Sequence, residues 1–486
     1  MIEKRDFYIE GKWVAPEVAN DCDVIDPSTE EACAVISLGA KADVDKAVAA
    51  ARRAFPAWAA TPLEKRIALL EKLDAIMQRR MGELGEAISL EMGAPIDFAI
   101  NDQAPCGPWH MQGFLEGVKH IAWEEPFADG QVIVREPIGV CGLITPWNFP
   151  IGMIAKKLSA ALAAGCPSVI KPASETPLTM IALFALMDKH VDLPDGMVNL
   201  VMGKASVIGK VLCESPDVPM LSFTGSTEVG TALYTRATQT LKKVQAEMGG
   251  KNAVIVLEDA DMDSALGGIV QGAFGSTGQR CTATSRVVVQ ESVYDAFMTE
   301  LIERTSKLTV GDGLDPAMDI APLSSQSQFN TVMEYIGIGA EEGATIAYGG
   351  NPRTEGDLDE GYYVEPTIFT NVDTNMRIAQ EEIFGPVLTV FKAADLEEAV
   401  SITNNVKFGL SSSIYTMDIP QAFRYIDTVE TGIVHVNSPT LGGEVHLPFG
   451  GMKESGVGTR EQGTEAINFF TEPVTVYIDY SSAARA

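Results

Sequence analysis

Positive charge is scarce in this sequence: 36 Lys and Arg stand against 66 Asp and Glu, a formal net charge of −30 over 486 residues. A chain this acidic offers no basic face to nucleic-acid phosphates and none to an anionic membrane surface. No apolar run reaches the ~20 residues needed to span a bilayer. The opening, MIEKRDFYIEGKW, mixes acids and bases without an apolar leader core, which predicts no secretory signal. Cysteine is sparse as well. The seven (Cys22, Cys33, Cys106, Cys141, Cys166, Cys213 and Cys281) are odd in number and scattered, with no CxxC pair. That argues against a disulfide framework and a zinc site, and for a reduced, cytoplasmic chain. The five His form no ligand-like pair, so no metal is expected. Low-complexity tracts and solenoid-period repeats are absent, and no GxGxxG follows a strand-like run.

What remains is a well-packed composition, 46% apolar and 21% charged, at a length that suits two or three domains without staples. Asp43 is placed to cap a helix whose Val44, Ala47, Val48 and Ala51 share a face. A second helix is predicted from Pro62 to Met92, stopped by Gly93 and Pro95. Residues 123–138 turn extended. From 138 to 257, short apolar strands alternate with helices, the pattern of a parallel, doubly wound sheet. Ligands collect at the carboxyl ends of such strands, which picks out Asn148, Lys171, Thr224–Ser226 and Glu247. A Gly-rich stretch at 267–278 reads as a loop inside a second α/β region running to about 450, and 469–480 reads as a long strand with no obvious home.

Seven stretches carry chemistry-bearing residues: TPWNFP (Thr145–Pro150), KPASETP (Lys171–Pro177), FTGSTEVG (Phe223–Gly230), EMGGK (Glu247–Lys251), GQRCT (Gly278–Thr282), EEIFGPV (Glu381–Val387) and PFGGMKESG (Pro448–Gly456). A lone cysteine in such a chain is most often a small buried apolar side chain. Cys281, however, follows a Gly-rich turn between Arg280 and Thr282, and a neighbouring Arg lowers a thiol pKa. Gly225 and Gly230 lie five apart at a strand-to-helix junction, where Ser226 and free backbone N–H groups suit a phosphate.

In this order and spacing the seven stretches strongly resemble the NAD(P)-dependent aldehyde dehydrogenase superfamily, over nearly the whole chain. The resemblance implies an aldehyde dehydrogenase-like α/β fold. In it, 1–122 and 139–248 form a doubly wound cofactor-binding domain, 249–448 a catalytic domain, and 123–138 with 465–486 small oligomerisation strands of a homodimer or homotetramer. It makes Cys281 the nucleophile toward a small-molecule aldehyde, Glu247 the general base that frees the acid, and Asn148 an oxyanion donor. It places NAD or NADP on Thr145, Trp147, Lys171, Ser174, Gly225, Ser226, Gly230, Glu382 and Phe384.

One departure bears on the cofactor. NAD-selective members carry Glu three residues after the lysine, where it repels a 2′-phosphate; here Ser174 stands there and Glu175 follows. NADP is therefore expected to be tolerated. For the substrate, Lys156 occupies the position of an Arg in succinate-semialdehyde members, and GQRCTATSR looks most like members acting on 2-oxoglutarate semialdehyde. Lys156 and Arg280 are thus candidate anchors for an acid-bearing aldehyde, against the plain reading of a helix charge and a structural ion-pair partner. Trp109, His110, Phe114 and the Ser438–Gly443 loop are expected around the tunnel. Two rivals are a coenzyme A-acylating dehydrogenase, disfavoured by Glu247, and a cysteine esterase, disfavoured because no His lies near Cys281 in sequence.

Overall fold

The computed structural model describes residues 1–479; the last part of the expected 465–486 segment lies outside the described residues. The central body of the first half is an eight-stranded sheet. Five of its strands are parallel neighbours, in the spatial order Lys243–Glu247, Met220–Thr224, Cys141–Ile144, Ser168–Lys171, Val198–Leu200. Chain order and spatial order reverse between Cys141–Ile144 and Met220–Thr224, and beside such a reversal a crevice opens at the carboxyl ends. These strands are short and almost wholly buried on both faces, as strands covered by helices on both sides must be.

The helix Pro150–Ala164 is the best-buried element against this sheet, with a proline at its first position and Gly165 in a left-handed turn (φ 92°) at its end. A Cβ at Gly165 would lie 2.7 Å from a guanidinium nitrogen of Arg66, so the turn needs glycine twice over. Everything else on this helix is apolar or small except Ser159 and two adjacent lysines, Lys156 and Lys157, both buried.

A seven-stranded sheet forms the second body, in the order Thr345–Tyr348, Thr367–Thr370, Val387–Ala393, Thr284–Gln290, Asn252–Val256, Ser411–Tyr415, Ile433–Val436. All its pairs are parallel except the first. A three-stranded antiparallel sheet joins Glu124–Ala128, Gln131–Pro137 and Thr471–Tyr477, so the terminal strand pairs with the extended excursion, in register from Thr471 opposite Pro137 to Tyr477 opposite Gln131.

Four local expectations are corrected. Asp43 is not the cap but the third residue of the helix Lys41–Ala59; its carboxylate reaches back 2.8 Å to accept from the Ala40 N–H. The helix expected over 62–92 is two, Leu63–Arg79 and Met81–Met92, broken where Arg80 leaves helical geometry at φ −117°. Residues 262–274 are a helix rather than a Gly-rich loop. Leu266, Ile269, Ala273 and Phe274 supply its buried face, while Gly268 and Gly272 let Tyr415 and Thr284 pack against its backbone, where a Cβ would meet their hydroxyls at 2.1 and 2.3 Å. The terminal strand starts only at Thr471, because Gly463–Phe469 turns one last helix first.

Candidate active site

Cys281 stands in the turn that enters the strand Thr284–Gln290. Before it, Ser276, Thr277 and Gly278 take left-handed backbone in succession (φ 54°, 57° and 70°). Such a run persists only where the surroundings over-determine it. Here the Thr277 hydroxyl donates to the Ala321 carbonyl (2.8 Å), and the Gln279 side-chain oxygen accepts from the Ser324 N–H (3.0 Å). On the far side, Nδ2 of Asn252 donates to the carbonyls of Cys281 (2.7 Å) and Ala283 (2.8 Å). The nucleophile candidate is thus clamped from both flanks while its own N–H has no acceptor among the described residues.

Asn148 comes from the other body, in the turn after Cys141–Ile144. Its Nδ2 donates to the Gln279 carbonyl (3.1 Å), which leaves its second N–H without an acceptor among the described residues. Both residues line two cavities that meet at them, one of about 240 Å³ and one of about 410 Å³. A thiol that shares its cavity wall with unspent N–H donors has the groups needed to add to a carbonyl carbon and hold the resulting oxyanion.

The thiol itself differs from expectation. Burial pushes the Cys281 pKa up to about 12; Lys156 opposes this, and Glu382, Glu247 and Glu461 reinforce it. The lowering expected from Arg280 is outweighed because desolvation disfavours the thiolate and three carboxylates act in the same sense, so a base must take its proton. Glu247, at the end of its strand, is buried and raised well above the carboxylate range by burial and by Glu461. Its Oε2 makes no hydrogen bond to any described residue. Its carboxyl packs beside Gly450 and Gly456, where added Cβ atoms would lie 2.4 and 3.4 Å from Oε1, and it is not among the residues lining either cavity.

The smaller cavity runs from Cys281 to Gly225 and Ser226. Ser226 caps the helix Thr227–Ala237, its hydroxyl accepting from the Val229 N–H (3.3 Å). Gly230 is buried in the first turn, too close to Met248 and Phe223 for any side chain. Glu382 accepts from the Gly250 N–H (2.9 Å), and burial raises it to about 7 against that bond and the charge of Lys251. A Cβ at Gly249 would fall 2.1 Å from the Glu382 carboxylate, so the glycines of EMGGK hold a cradle open. Phe384 is left-handed at φ 58°, fixed by Nε2 of Gln328 donating to the carbonyls of Ile383 (3.0 Å) and Phe384 (2.9 Å). Its ring meets that of Trp147 edge-on, centroids 5.3 Å apart. Thr145 is buried with its hydroxyl unpartnered, and its N–H donates to the Lys171 carbonyl (3.1 Å). Lys171 ends its strand with a buried ammonium brought down to about 8 by burial, against Glu175. Ser174 is half-buried in the bend that follows.

The larger cavity opens on the other side of Cys281, lined by Trp109, His110, Phe149, Lys156, Arg280, Gly442, Gly443 and Gln462 among others. Phe114 is buried behind it rather than in its wall. The two candidate anchors part company here. Lys156 is already spoken for: its ammonium is ion-paired with Oε2 of Glu461 and sits 4.9 Å from the Phe449 ring centroid. Lys157 pairs with the other oxygen of the same carboxylate and donates to the Ser222 hydroxyl (2.9 Å). Burial alone would raise Glu461, but the two lysines outweigh it and hold its pKa at about 2. Arg280 has no carboxylate within ion-pair distance and no hydrogen bond to its buried Nε among the described residues. Its guanidinium lies over the rings of Phe98 (4.5 Å) and Phe149 (5.7 Å).

Residues 13–476 match the description "Aldehyde dehydrogenase family". The chain belongs to the aldehyde dehydrogenase family. It is 40% identical over 476 residues to the alpha-ketoglutaric semialdehyde dehydrogenase of Bacillus subtilis, covering 97% of each chain. A solved aldehyde dehydrogenase from Bartonella henselae superposes with a TM-score of 0.95 at 40% identity, over 98% of this chain and 100% of that one. A mutant of aldehyde dehydrogenase C from Pseudomonas syringae, crystallised with NAD+ and octanal, superposes at 0.94 with 37% identity, over 97% of this chain and 96% of that one. Among the described residues no helix is long and apolar enough to cross a membrane, and no group of His, Cys, Asp and Glu is arranged to hold a metal ion.

Glu461, Gln328 and Gln462 are site residues that sequence reasoning passed over. For Glu461 a signal existed: two neighbouring lysines inside an otherwise apolar helix require a buried acid from elsewhere.

Proposed function

We propose that this aldehyde dehydrogenase family member oxidises a carboxylate-bearing aldehyde to the corresponding diacid, with NAD or NADP as the oxidant. The observation that carries this reading is Arg280: a half-buried guanidinium with its Nε sealed and no carboxylate within ion-pair distance, in the cavity that ends at Cys281, where Asp102 of the same wall acts on it only at longer range. A partly desolvated charge whose acid lies beyond ion-pair distance leaves room for a ligand carboxylate to pair it more closely. The relative from Bacillus subtilis named for alpha-ketoglutaric semialdehyde supports the same class.

The residues present suit a dinucleotide. The capped helix at Ser226 offers N–H groups to a pyrophosphate, and the cradle between Gly249 and Glu382, with Trp147 and Phe384 behind it, suits the nicotinamide riboside. When bound there, the cofactor supplies the acceptor for the hydride lost from the aldehyde carbon. Lys171 would meet the adenosine, and Ser174 puts no carboxylate at the position from which family members repel a 2′-phosphate, Glu175 beside it being the one acid near Lys171, among the described residues, that could do so.

The chain's own groups do the rest. Glu247 takes the thiol proton, and the Cys281 sulfur bonds to the carbonyl carbon to form a thiohemiacetal. The Cys281 N–H and Asn148 Nδ2 hold the oxyanion. After oxidation to the thioester and loss of that proton from Glu247 to solvent, the carboxylate draws a proton from water, whose oxygen adds to the acyl carbon and breaks the acyl–sulfur bond, freeing the acid and leaving the sulfur to be reprotonated. Reaching the sulfur requires the Glu247 side chain to swing away from Gly450 and Gly456. The exposed strand Glu124–Ala128, with Phe127 and Tyr477 bare near it, supports a homodimer or homotetramer.

The test is the growth of reduced-nicotinamide absorbance with paired aldehydes, each neutral one beside its ω-carboxylate counterpart, run with NAD and with NADP. A kcat/KM at least tenfold higher for the carboxylate set is expected. Equal or better turnover of the neutral set would overturn the substrate class, and turnover only after adding coenzyme A would overturn the role of Glu247.

A further inference from the structure

The charges on the wall of the larger cavity do not balance in the way a simple carboxylate pocket would. Asp102, Lys156 and Arg280 line it, and Lys156 is spent on Glu461. One acid and one base remain. The Asp102 carboxylate makes no hydrogen bond and no ion pair to any described residue, and it stands beyond ion-pair distance of Arg280. Each is nonetheless the foremost charge felt by the other, opposing the effect of burial at both. Asp102 is exposed, and of the Arg280 nitrogens only Nε is sealed, so both charges face a ligand in the cavity. His110 on the same wall is held neutral by burial and then by Lys156, which bring its pKa down to about 3, and supplies no third charge.

Separate scaffolds keep this acid and base apart. The Arg280 guanidinium lies over the rings of Phe98 and Phe149, in the clamped turn one residue before Cys281. Asp102 stands in a π-helical turn, Ala99–Gln103, set between the α-helical segments Ile96–Phe98 and Ala104–Gly117. Its own carbonyl oxygen accepts from the Cys106 thiol (3.1 Å), which ties it to the helix that follows. Turns of this kind are rare and recur at functional sites. Trp109, from the same helix, leaves 47% of its surface bare on the cavity wall. An ammonium is drawn to an aromatic face as well as to an acid.

We propose that Asp102 and Arg280 together read a zwitterionic end on the aldehyde, a carboxylate with an ammonium on the carbon beside it, Arg280 taking the carboxylate and Asp102 the ammonium. A ligand that brings a carboxylate alone pairs Arg280 but sets a second anion beside the unpaired Asp102. One that brings an ammonium alone leaves Arg280 unmet. An end that carries both leaves no desolvated charge uncompensated. The substrate class is then an amino-acid semialdehyde. This specificity role rests on the acid-bearing reading for Arg280, and the two are separable by experiment.

The experiment compares aldehydes that differ only in the amino group: 4-oxobutanoate with 2-amino-4-oxobutanoate, and 7-oxoheptanoate with 2-amino-7-oxoheptanoate. In neither chain can the amine close a five- or six-membered ring on the aldehyde. Propanal and 3-aminopropanal repeat the shorter pair without its carboxylate. Steady-state kcat/KM is measured for the native enzyme, Asp102→Asn and Asp102→Glu. The native enzyme is expected to favour the amino member of a carboxylate-bearing pair by about tenfold or more, the worth of one charge-assisted hydrogen bond. Asp102→Asn should bring that ratio to about twofold or less and raise kcat/KM for the amine-free acids, because the competing anion is gone. Asp102→Glu should keep the preference. A native ratio of one or less at both chain lengths overturns the proposal, and does so without any variant. An equal loss with both members of a pair in Asp102→Asn also overturns it, since a structural role alone would act that way. An amine-free acid preferred over both its amino counterpart and the neutral aldehyde overturns the zwitterion and leaves the acid-bearing reading standing. An amine preference equally large without the carboxylate overturns the acid-bearing reading, and with it the part given to Arg280, while the Asp102 subsite stands.

Discussion

The side-chain amide of Asn148 donates to the carbonyl oxygen of Gln279 at 3.1 Å, across 131 residues of sequence. That bond ties the strand-end turn of one sheet to the segment two residues before Cys281 on the other. It also orients the amide so that one N–H is spent on the scaffold and one remains for chemistry. Asn148→Ala removes both at once, and Asn148→Asp replaces the free donor by an acceptor. Loss of one preorganised oxyanion donor lowers kcat by about 10²–10³-fold. The alanine variant is expected to fall in that range and the aspartate variant at least as far, measured by the rate of cofactor reduction with saturating aldehyde.

The elevated thiol gives a direct pH expectation. With its pKa pushed up to about 12, mostly by burial, Cys281 is protonated at neutral pH in the cofactor-free enzyme. Its thiolate fraction then grows about tenfold per pH unit well beyond the ordinary thiol range near 8.5. Alkylation of Cys281 by iodoacetamide, followed by peptide mass spectrometry, should keep accelerating from pH 7 to pH 10. A plateau near pH 8 would mean that the resting nucleophile is already activated.

Glu461 predicts an acid limit to stability. Its pKa is held at about 2, below the ordinary value of 4.5, because the lysines outweigh burial. A depressed carboxylate contributes stability above its unfolded pKa and loses it as pH falls through the folded one. Urea midpoints should therefore fall between pH 4.5 and pH 2 in the native chain. Glu461→Gln leaves two buried ammonium groups without a counter-charge and should cost about 3–5 kcal/mol of unfolding free energy at pH 7. A loss under 1 kcal/mol would show that water reaches the lysines.

Gln328 offers a test of the cofactor side that touches no proposed reacting atom. Its amide nitrogen holds the left-handed turn at Phe384 through two carbonyls. Each such bond is worth about 0.5–1.5 kcal/mol. Gln328→Ala should raise the KM for the dinucleotide about tenfold and that for the aldehyde far less. Equal increases in both would place Gln328 in general packing instead.

The parts of this site legible in sequence share a property: they lie in short stretches whose glycines, prolines and polar residues have local reasons to be there. Strand ends announced Asn148, Lys171 and Glu247 because the alternation of strand and helix is itself local. Gly268 and Gly272 misled, since their reason, the approach of Tyr415 and Thr284, is tertiary, and intrinsic propensity reads glycine as a breaker. Lys156 looked like a free cation because the acid that occupies it lies 305 residues away by number. Burial of the thiol was equally invisible: a neighbouring arginine is written in the sequence, whereas three carboxylates folded in from other segments are not.

The shared carboxylate also bears on the order in which this protein can be made. Synthesis runs from the N-terminus, and the helix Pro150–Ala164 leaves the ribosome some 300 residues before Glu461 does. Through that interval Lys156 and Lys157 lack the carboxylate that ion-pairs them, with only Glu247 at longer range, so the helix cannot seat fully on its sheet. The first half of the chain is therefore expected to wait as a loosened, protease-sensitive intermediate whose final docking is triggered by nearly the last segment to emerge. Truncation before residue 461 should trap that state.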